Sequence, residues 1–234
     1  MKTLIRAQDE LFRLAADKIC YLLREKPDAA LTLAAGRTMF PLWELLCEAA
    51  AGGEADFSAA RFFQTAEFLG VPEEKSLRRL TEERLLRKIG VPEENCFWLT
   101  EENAGRCDEA IRRCGGLDLA VLGLGGNAHI GYNEPGTQFC TGCRVQKLTG
   151  KTKQQLAWLF PDGASVPEKA VTMGIRTLTQ AKEILVLAVG EEKAKAVFDM
   201  LYARDDSVIP AAFLQIPANV TVYAASNWSC LREG

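Results

Sequence analysis

The stretch Leu117-Asp118-Leu119-Ala120-Val121-Leu122-Gly123-Leu124-Gly125-Gly126-Asn127-Ala128-His129-Ile130-Gly131-Tyr132-Asn133-Glu134-Pro135 decides how this chain reads. It opens as an apolar run of strand length and continues as a loop rich in Gly and Asn that ends at a proline. In open α/β sheets, ligands bind just beyond the carboxyl ends of the strands. The loop also holds His129, the only histidine of the 234 residues. Imidazole titrates near neutral pH, and Glu134, five residues on, can orient it or share its proton. A lone histidine is more often structural than catalytic. Its company of Gly, Asn, Glu and Pro at a strand end makes this loop the first candidate site.

Outward from that strand, short apolar runs alternate with helical patterns. Strands are expected at Ala30–Ala35, Arg61–Gln64, Leu117–Leu124, Ile184–Val189 and Val220–Ala224. Amphipathic segments lie between or beyond them at Pro41–Ala51, Glu73–Ile89, Glu101–Cys114 and Glu191–Tyr202. This alternation predicts parallel βαβ units with helices on both sheet faces. The strand runs are almost continuously apolar, as strands buried on both faces are. Nothing in the sequence marks a linker, a repeat or a low-complexity tract, so residues 1–234 read as a single domain.

The composition excludes several classes. Apolar residues make up 48% and charged residues 25%, ordinary for a soluble globular protein, and the formal net charge is −3. That charge gives no basic footprint for nucleic acid and no polybasic membrane anchor. Met1–Glu25 is broken by Arg6, Asp9, Glu10, Arg13, Asp17 and Lys18. It therefore reads as one amphipathic helix rather than a signal peptide. No apolar run is long enough to span a bilayer. A cytoplasmic location is the expectation. The eight cysteines do not form a secreted scaffold's dense pattern. Cys140-x-x-Cys143 is suggestive, but zinc needs two further ligands at matching spacing, and Cys107 and Cys114 do not provide it. A thioredoxin-like site needs a strand-to-helix setting that this pair, after a Pro-Gly turn, lacks. The thiols read as reduced and incidental.

Three other segments can carry chemistry. Leu33-Ala34-Ala35-Gly36-Arg37-Thr38 ends a strand and leads into a helix. Such a turn offers backbone N–H groups, the Thr38 hydroxyl and the Arg37 guanidinium to a phosphate, or is simply an ordinary βα turn. It lacks the Gly-Lys-Ser/Thr of a Walker loop. Glu67, in Thr65-Ala66-Glu67-Phe68, can be a general base, a helix-capping group or a surface carboxylate, and on this segment alone reads first as the surface carboxylate. Lys193 follows Gly190 at a helix start, where a lysine reaches a bound phosphate as a point charge or is simply solvated. The Gly123-x-Gly125 pair lacks the third glycine of a dinucleotide fingerprint, and Pro135 interrupts the helix that should follow, which argues against NAD.

Taken in order, these pieces resemble the glucosamine-6-phosphate deaminase and 6-phosphogluconolactonase superfamily over nearly the whole chain. The most specific piece is Gly-x-Gly-x-x-x-His-x-x-x-Asn-Glu-Pro. Its Asn133-Glu134-Pro135 ending is similar to the amino-sugar-phosphate deaminases rather than the lactonases. Gly115–Gly125, Ile209-Pro210, Arg176 after Gly174, and Asn127 are most similar to galactosamine-6-phosphate deaminase/isomerases. The resemblance implies a three-layer α/β/α sandwich with a mainly parallel, Rossmann-like sheet. It implies conversion of an amino-sugar phosphate to a ketose phosphate and ammonia, without a cofactor or metal.

Residue by residue, the resemblance makes His129 the group that handles the ring-oxygen proton, with Glu134 and Asn127 beside it. Gly36, Thr38 and Lys193 match phosphate-binding positions, Arg37 is an unusual neighbour, and Arg176 is placed with the substrate-binding groups. One departure stands out. The family carries Asp-Glu-Tyr or Asp-Glu-Trp where this chain has Ala66-Glu67-Phe68, and Ala66 cannot accept a proton. Loss of a required general base costs about a hundred- to ten-thousand-fold in rate. Trp158 falls where many glucosamine-type enzymes carry an arginine. Three functions follow: a deaminase/isomerase in which Glu67 or water replaces the base, a lactonase-type or other sugar-phosphate enzyme, and a silent sugar-phosphate binder. A small-molecule sugar phosphate is the expected partner, with no nucleic acid and no membrane, and a homo-oligomer is possible.

Overall fold

In the computed structural model, which describes residues 1–161, 166–203 and 208–225, a seven-stranded parallel sheet runs through the centre. The strands are β1 (Lys2–Arg6), β2 (Ala30–Leu33), β3 (Arg61–Phe63), β4 (Ala66–Leu69), β5 (Cys96–Phe97), β6 (Leu119–Gly123), β7 (Arg144–Lys147), β8 (Lys169–Thr172), β9 (Ile184–Ala188) and β10 (Val220–Ala225). The helices are α1 (Gln8–Glu25), α2 (Phe40–Ala51), α3 (Leu77–Thr81), α4 (Arg87–Ile89), α5 (Ala104–Arg113), α6 (Gly150–Gln155), α7 (Ile175–Thr179) and α8 (Ala194–Tyr202). The large sheet has the order β1-β10-β9-β6-β2-β3-β5.

The five strands expected from apolar runs are all in this sheet, and its centre is buried on both faces. Along β6, Leu119 and Val121 point into a core with α1 and α2, while Ala120 and Leu122 point into a core with α5 and α7. That is the period-2 alternation of a strand covered from both sides. The α/β class with helices flanking a mainly parallel sheet is what the sequence led us to expect.

Three local expectations need correction. Met1–Glu25 is not one helix: Lys2–Arg6 forms β1, pairing parallel with Thr221–Ala225, and α1 starts only at Gln8. The five residues Lys-Thr-Leu-Ile-Arg carry no period-2 alternation that would mark a strand, and β1's partner lies at residues 221–225. Glu73–Ile89 is not one continuous helix either. It comprises a 3-10 turn at Glu73–Lys75, α3, a π-helical turn at Glu82–Leu86, and α4. Lastly, β4, β8 and β7 form a separate antiparallel sheet that periodicity did not reveal. Its register sets Ala66 opposite Thr172, and Thr172 opposite Arg144.

The order of the large sheet positions the site. From β2 the chain moves outward to β3 and β5, then returns to lay β6 on the other side of β2. The loops leaving β2 and β6 thus diverge and open a crevice between them, the switch point at which doubly wound sheets bind ligands.

Candidate active site

The crevice is a cavity of about 270 Å³, walled by three strand ends and capped by the small sheet and α6. Gly36, Arg37 and Thr38 contribute from the end of β2, Gln64, Thr65 and Ala66 from beyond β3, and Gly123, Gly125 and His129 from beyond β6. Lys193, at the cap position of α8, closes one side. Tyr132, Gln155 and Trp158 complete the wall.

The backbone of the β6 loop is built around His129. A side chain at Gly125 would overlap the imidazole ring, so only glycine leaves room for it. The Gly125 N–H donates to the His129 carbonyl at 2.9 Å, and Ala128 adopts a left-handed φ of 57°. Left-handed backbone at a non-glycine residue is uncommon and needs its surroundings to hold it. Here the Ala128 carbonyl accepts from the Ala211 N–H at 2.9 Å.

Around the ring, His129 Nδ1 lies 2.6 Å from Asn127 Oδ1, and Asn127 Nδ2 donates to Glu134 Oε2 at 2.9 Å. Glu134 also accepts from the Thr149 N–H at 3.2 Å and the Thr149 hydroxyl at 3.1 Å. A carboxylate only accepts, so it fixes the Asn127 amide with its NH2 toward Glu134 and its oxygen toward the ring. An oxygen with no proton to give requires Nδ1 to carry one, which leaves Nε2 with the free lone pair. Burial pushes the His129 pKa well below its ordinary value; Glu134 opposes this, and Lys193 and Lys151 add to it. At neutral pH the ring is therefore an uncharged base.

The crevice also has cationic lining, from Arg37 and Lys193. Burial lowers the Lys193 pKa, Glu192 opposes this, and the Arg37 charge lowers it further. The Arg37 guanidinium also lies 5.8 Å from the centre of the Trp158 ring, which meets Phe40 edge-on. Two cations brought together beside a glycine turn form a site in which an anion relieves their repulsion.

Two expected residues lie elsewhere. Glu67 follows Ala66 on β4, so its side chain takes the opposite face, and it does not line the cavity. Its carboxylate accepts from Gln64 Nε2 at 2.9 Å and from the backbone N–H groups of Phe68 at 2.7 Å, Leu77 at 2.9 Å and Arg78 at 2.7 Å. It is an anchor for the start of α3. Arg176 is on α7, bonded to Asp108 at 3.0 Å, on the wall of a separate hollow. Among the described residues lining the crevice, Glu192 is the only carboxylate.

Thr149 and Thr152 were missed by sequence reasoning. Thr149 caps α6, accepting from the Thr152 N–H, and the Thr152 hydroxyl lies 3.3 Å from His129 Nδ1. A Thr-x-x-Thr segment signals a helix start, but nothing local shows that the cap closes onto Glu134. Among the described residues, the one group of potential metal ligands is Cys107, Asp108 and Cys143, none of which lines the crevice.

A switch-point crevice lined by a buried neutral imidazole and two cations is the architecture of an α/β enzyme. The chain belongs to the glucosamine-6-phosphate isomerase/6-phosphogluconolactonase family, whose model matches residues 5–223. It is 35% identical over 218 residues to a glucosamine-6-phosphate deaminase of Pseudarthrobacter chlorophenolicus, covering 90% of this chain and 84% of that protein. Glucosamine-6-phosphate deaminase 2 of Giardia intestinalis is 34% identical over 223 residues, 92% of this chain and 85% of that one. A solved monomeric glucosamine-6-phosphate deaminase superposes with a TM-score of 0.93 at 32% identity, covering 99% of this chain and 100% of that one. The 6-phosphogluconolactonase of Trypanosoma cruzi shares the fold at a TM-score of 0.75 and 20% identity, over 98% of this chain and 97% of that one.

Proposed function

We propose that this protein is an amino-sugar-6-phosphate deaminase/isomerase. It would convert glucosamine 6-phosphate or galactosamine 6-phosphate, with water, to the ketose 6-phosphate and ammonia. The observation that carries this reading is the hydrogen-bonded series His129–Asn127–Glu134 on the wall of a crevice that Arg37 and Lys193 also line. The phosphate would rest on Gly36, Thr38, Arg37 and Lys193. His129 Nε2 would take the proton of the anomeric hydroxyl and return it to the ring oxygen, opening the sugar. Asn127 and Glu134 would hold the ring in the tautomer that permits this.

The next step moves a proton between C2 and C1, and no carboxylate projects from Ala66 to accept it. With Glu67 committed to four N–H donors, a water held in the crevice is the remaining candidate of the two replacements. This gap also favours a second reading, in which the pocket binds a sugar phosphate without deaminating it or hydrolyses a phosphogluconolactone.

Ammonia release from both amino-sugar phosphates, compared with a His129→Gln variant, tests the proposal. Turnover well above the variant supports it; turnover no better than the variant, or acid release from 6-phosphogluconolactone instead, rejects it. Arg176 has no place in this proposal, since its guanidinium pairs with Asp108 away from the crevice.

A further inference from the structure

Cys140-x-x-Cys143 suggests a thiol pair by its spacing, but the fold pairs Cys143 with a different cysteine. Cys107 lies within α5, fully buried, and Cys143 immediately precedes β7, partly exposed. The sulfur atoms of Cys107 and Cys143 and a carboxylate oxygen of Asp108 all lie within 4.8 Å of one another. Cys140 is exposed, with its sulfur 3.9 Å from Gln138 Oε1.

The surroundings hold the two sulfurs in place. Asp108 accepts from the Thr177 hydroxyl at 2.5 Å and from Arg176 Nη2 at 3.0 Å, and the Cys143 backbone N–H also bonds to it. A side chain at Gly142 would overlap the Asp108 carboxylate, and one at Gly174 would overlap the carbonyls of Thr141 and Gly142. These two glycines let the 140–143 loop lie directly on α5 and α7. With both Asp108 oxygens bonded, one of them to a guanidinium, the cluster is a poor cation site. A dication would have to displace Arg176 to reach Asp108 and would then have three protein ligands, one fewer than a structural zinc site uses.

We infer that Cys107 and Cys143 form a site of reversible disulfide formation. The oxidant is a small-molecule disulfide such as glutathione disulfide. The Cys143 thiolate attacks one of its sulfurs, forming a mixed disulfide and releasing one glutathione thiolate. Cys107, beneath it, then attacks Cys143 Sγ and expels the second glutathione. Two thiols and one glutathione disulfide become one protein disulfide and two glutathione thiols, with two electrons passing to the oxidant. The Cys107 thiol beside it, burial and the Asp108 charge all hold the Cys143 thiol above its ordinary pKa, so the first step is slow at neutral pH.

The crosslink would fix the segment just ahead of Arg144. That arginine donates to Asn133 Oδ1 at 2.8 Å and Thr137 Oγ1 at 3.1 Å, in the loop that carries Glu134.

The test incubates the reduced full-length protein with glutathione disulfide at mildly alkaline pH, then maps peptides after alkylation. The expected result is loss of two hydrogens in mass and a peptide joining Cys107 to Cys143. It should persist in Cys140→Ser and be absent from Cys143→Ala and Cys107→Ala. Cys143 is partly exposed, so its variant keeps the test valid if the buried Cys107→Ala does not fold. The melting temperature should rise by about 5 °C on oxidation, because the bond closes the segment 107–143. A Cys140–Cys143 bond, a persistent glutathione adduct at Cys143, or no loss of thiols overturns the inference. So does retention of equimolar Zn2+ that depends on Asp108.

Discussion

At the scale of single residues, the proposed chemistry turns on two features: the lone pair on His129 Nε2 and the carboxylate that Ala66 does not have. Ala66 lines the crevice, so Ala66→Asp places a proton acceptor on its wall. Ammonia release should rise by about a hundredfold or more, the lower range for a general base, measured as kcat on both epimers. An unchanged rate would show that deamination here does not run through that position. Asn127→Asp should act on the other end of the reaction. A charge 2.6 Å from Nδ1 favours the imidazolium, so the acid limb of the pH–rate profile should move to higher pH. The direction follows from an opposite charge stabilising the protonated ring. His129, Asn127 and Glu134 were legible because they share one short loop, and Arg37, Thr38 and Lys193 because each follows a strand. Glu67 was legible as a capping carboxylate only as one alternative, since its donors at Leu77 and Arg78 belong to the next element. Arg176 was misplaced because a basic residue after a glycine carries no information about which hollow it faces.

Among the elements, α3 shows how a candidate catalytic group becomes a structural one. It has only five residues, and the Glu67 carboxylate satisfies the N–H groups of Leu77 and Arg78 at its start. Helix starts leave such donors without partners unless a side chain accepts them. Glu67→Gln removes the charge and half of the acceptor capacity. It should cost about 1–3 kcal/mol of stability, read by denaturant unfolding, while kcat per folded molecule stays within about twofold. A loss of kcat with unchanged stability would return Glu67 to the catalytic group. The strands of the large sheet's centre were readable because burial on both faces makes them continuous apolar runs. The strands β1, β4, β7 and β8 were not: β1 is largely exposed and β7 partly so, β4 and β8 are short runs that mix polar and apolar residues, and the pairing of all four is set by distant partners. The π-helical turn at Glu82–Leu86 likewise interrupts what reads locally as one charged helix.

For the whole molecule, the buried neutral imidazole couples folding to pH. The His129 pKa is lowered in the folded protein, while an unfolded histidine titrates at about 6.5. Below that value the unfolded chain binds a proton that the folded one refuses, so this group's contribution to stability is present above about pH 6.5 and declines below it. Thermal melts of wild type and His129→Gln, compared from pH 7 down to pH 5, should converge as the pH falls. Parallel curves would show that the ring is not held neutral. The class of the fold was readable at this scale from βαβ alternation; the strand order was not, because nothing local says that β6 returns to lie beside β2. That order has a temporal consequence. The cation-bearing turn after β2 and the imidazole loop after β6 are distant in sequence and become neighbours only when the returning strand docks. Bringing such distant segments together is a slow part of folding. Recovery of catalysis during refolding would therefore lag the recovery of helical signal, making turnover a clock for the moment at which the sheet closes its middle.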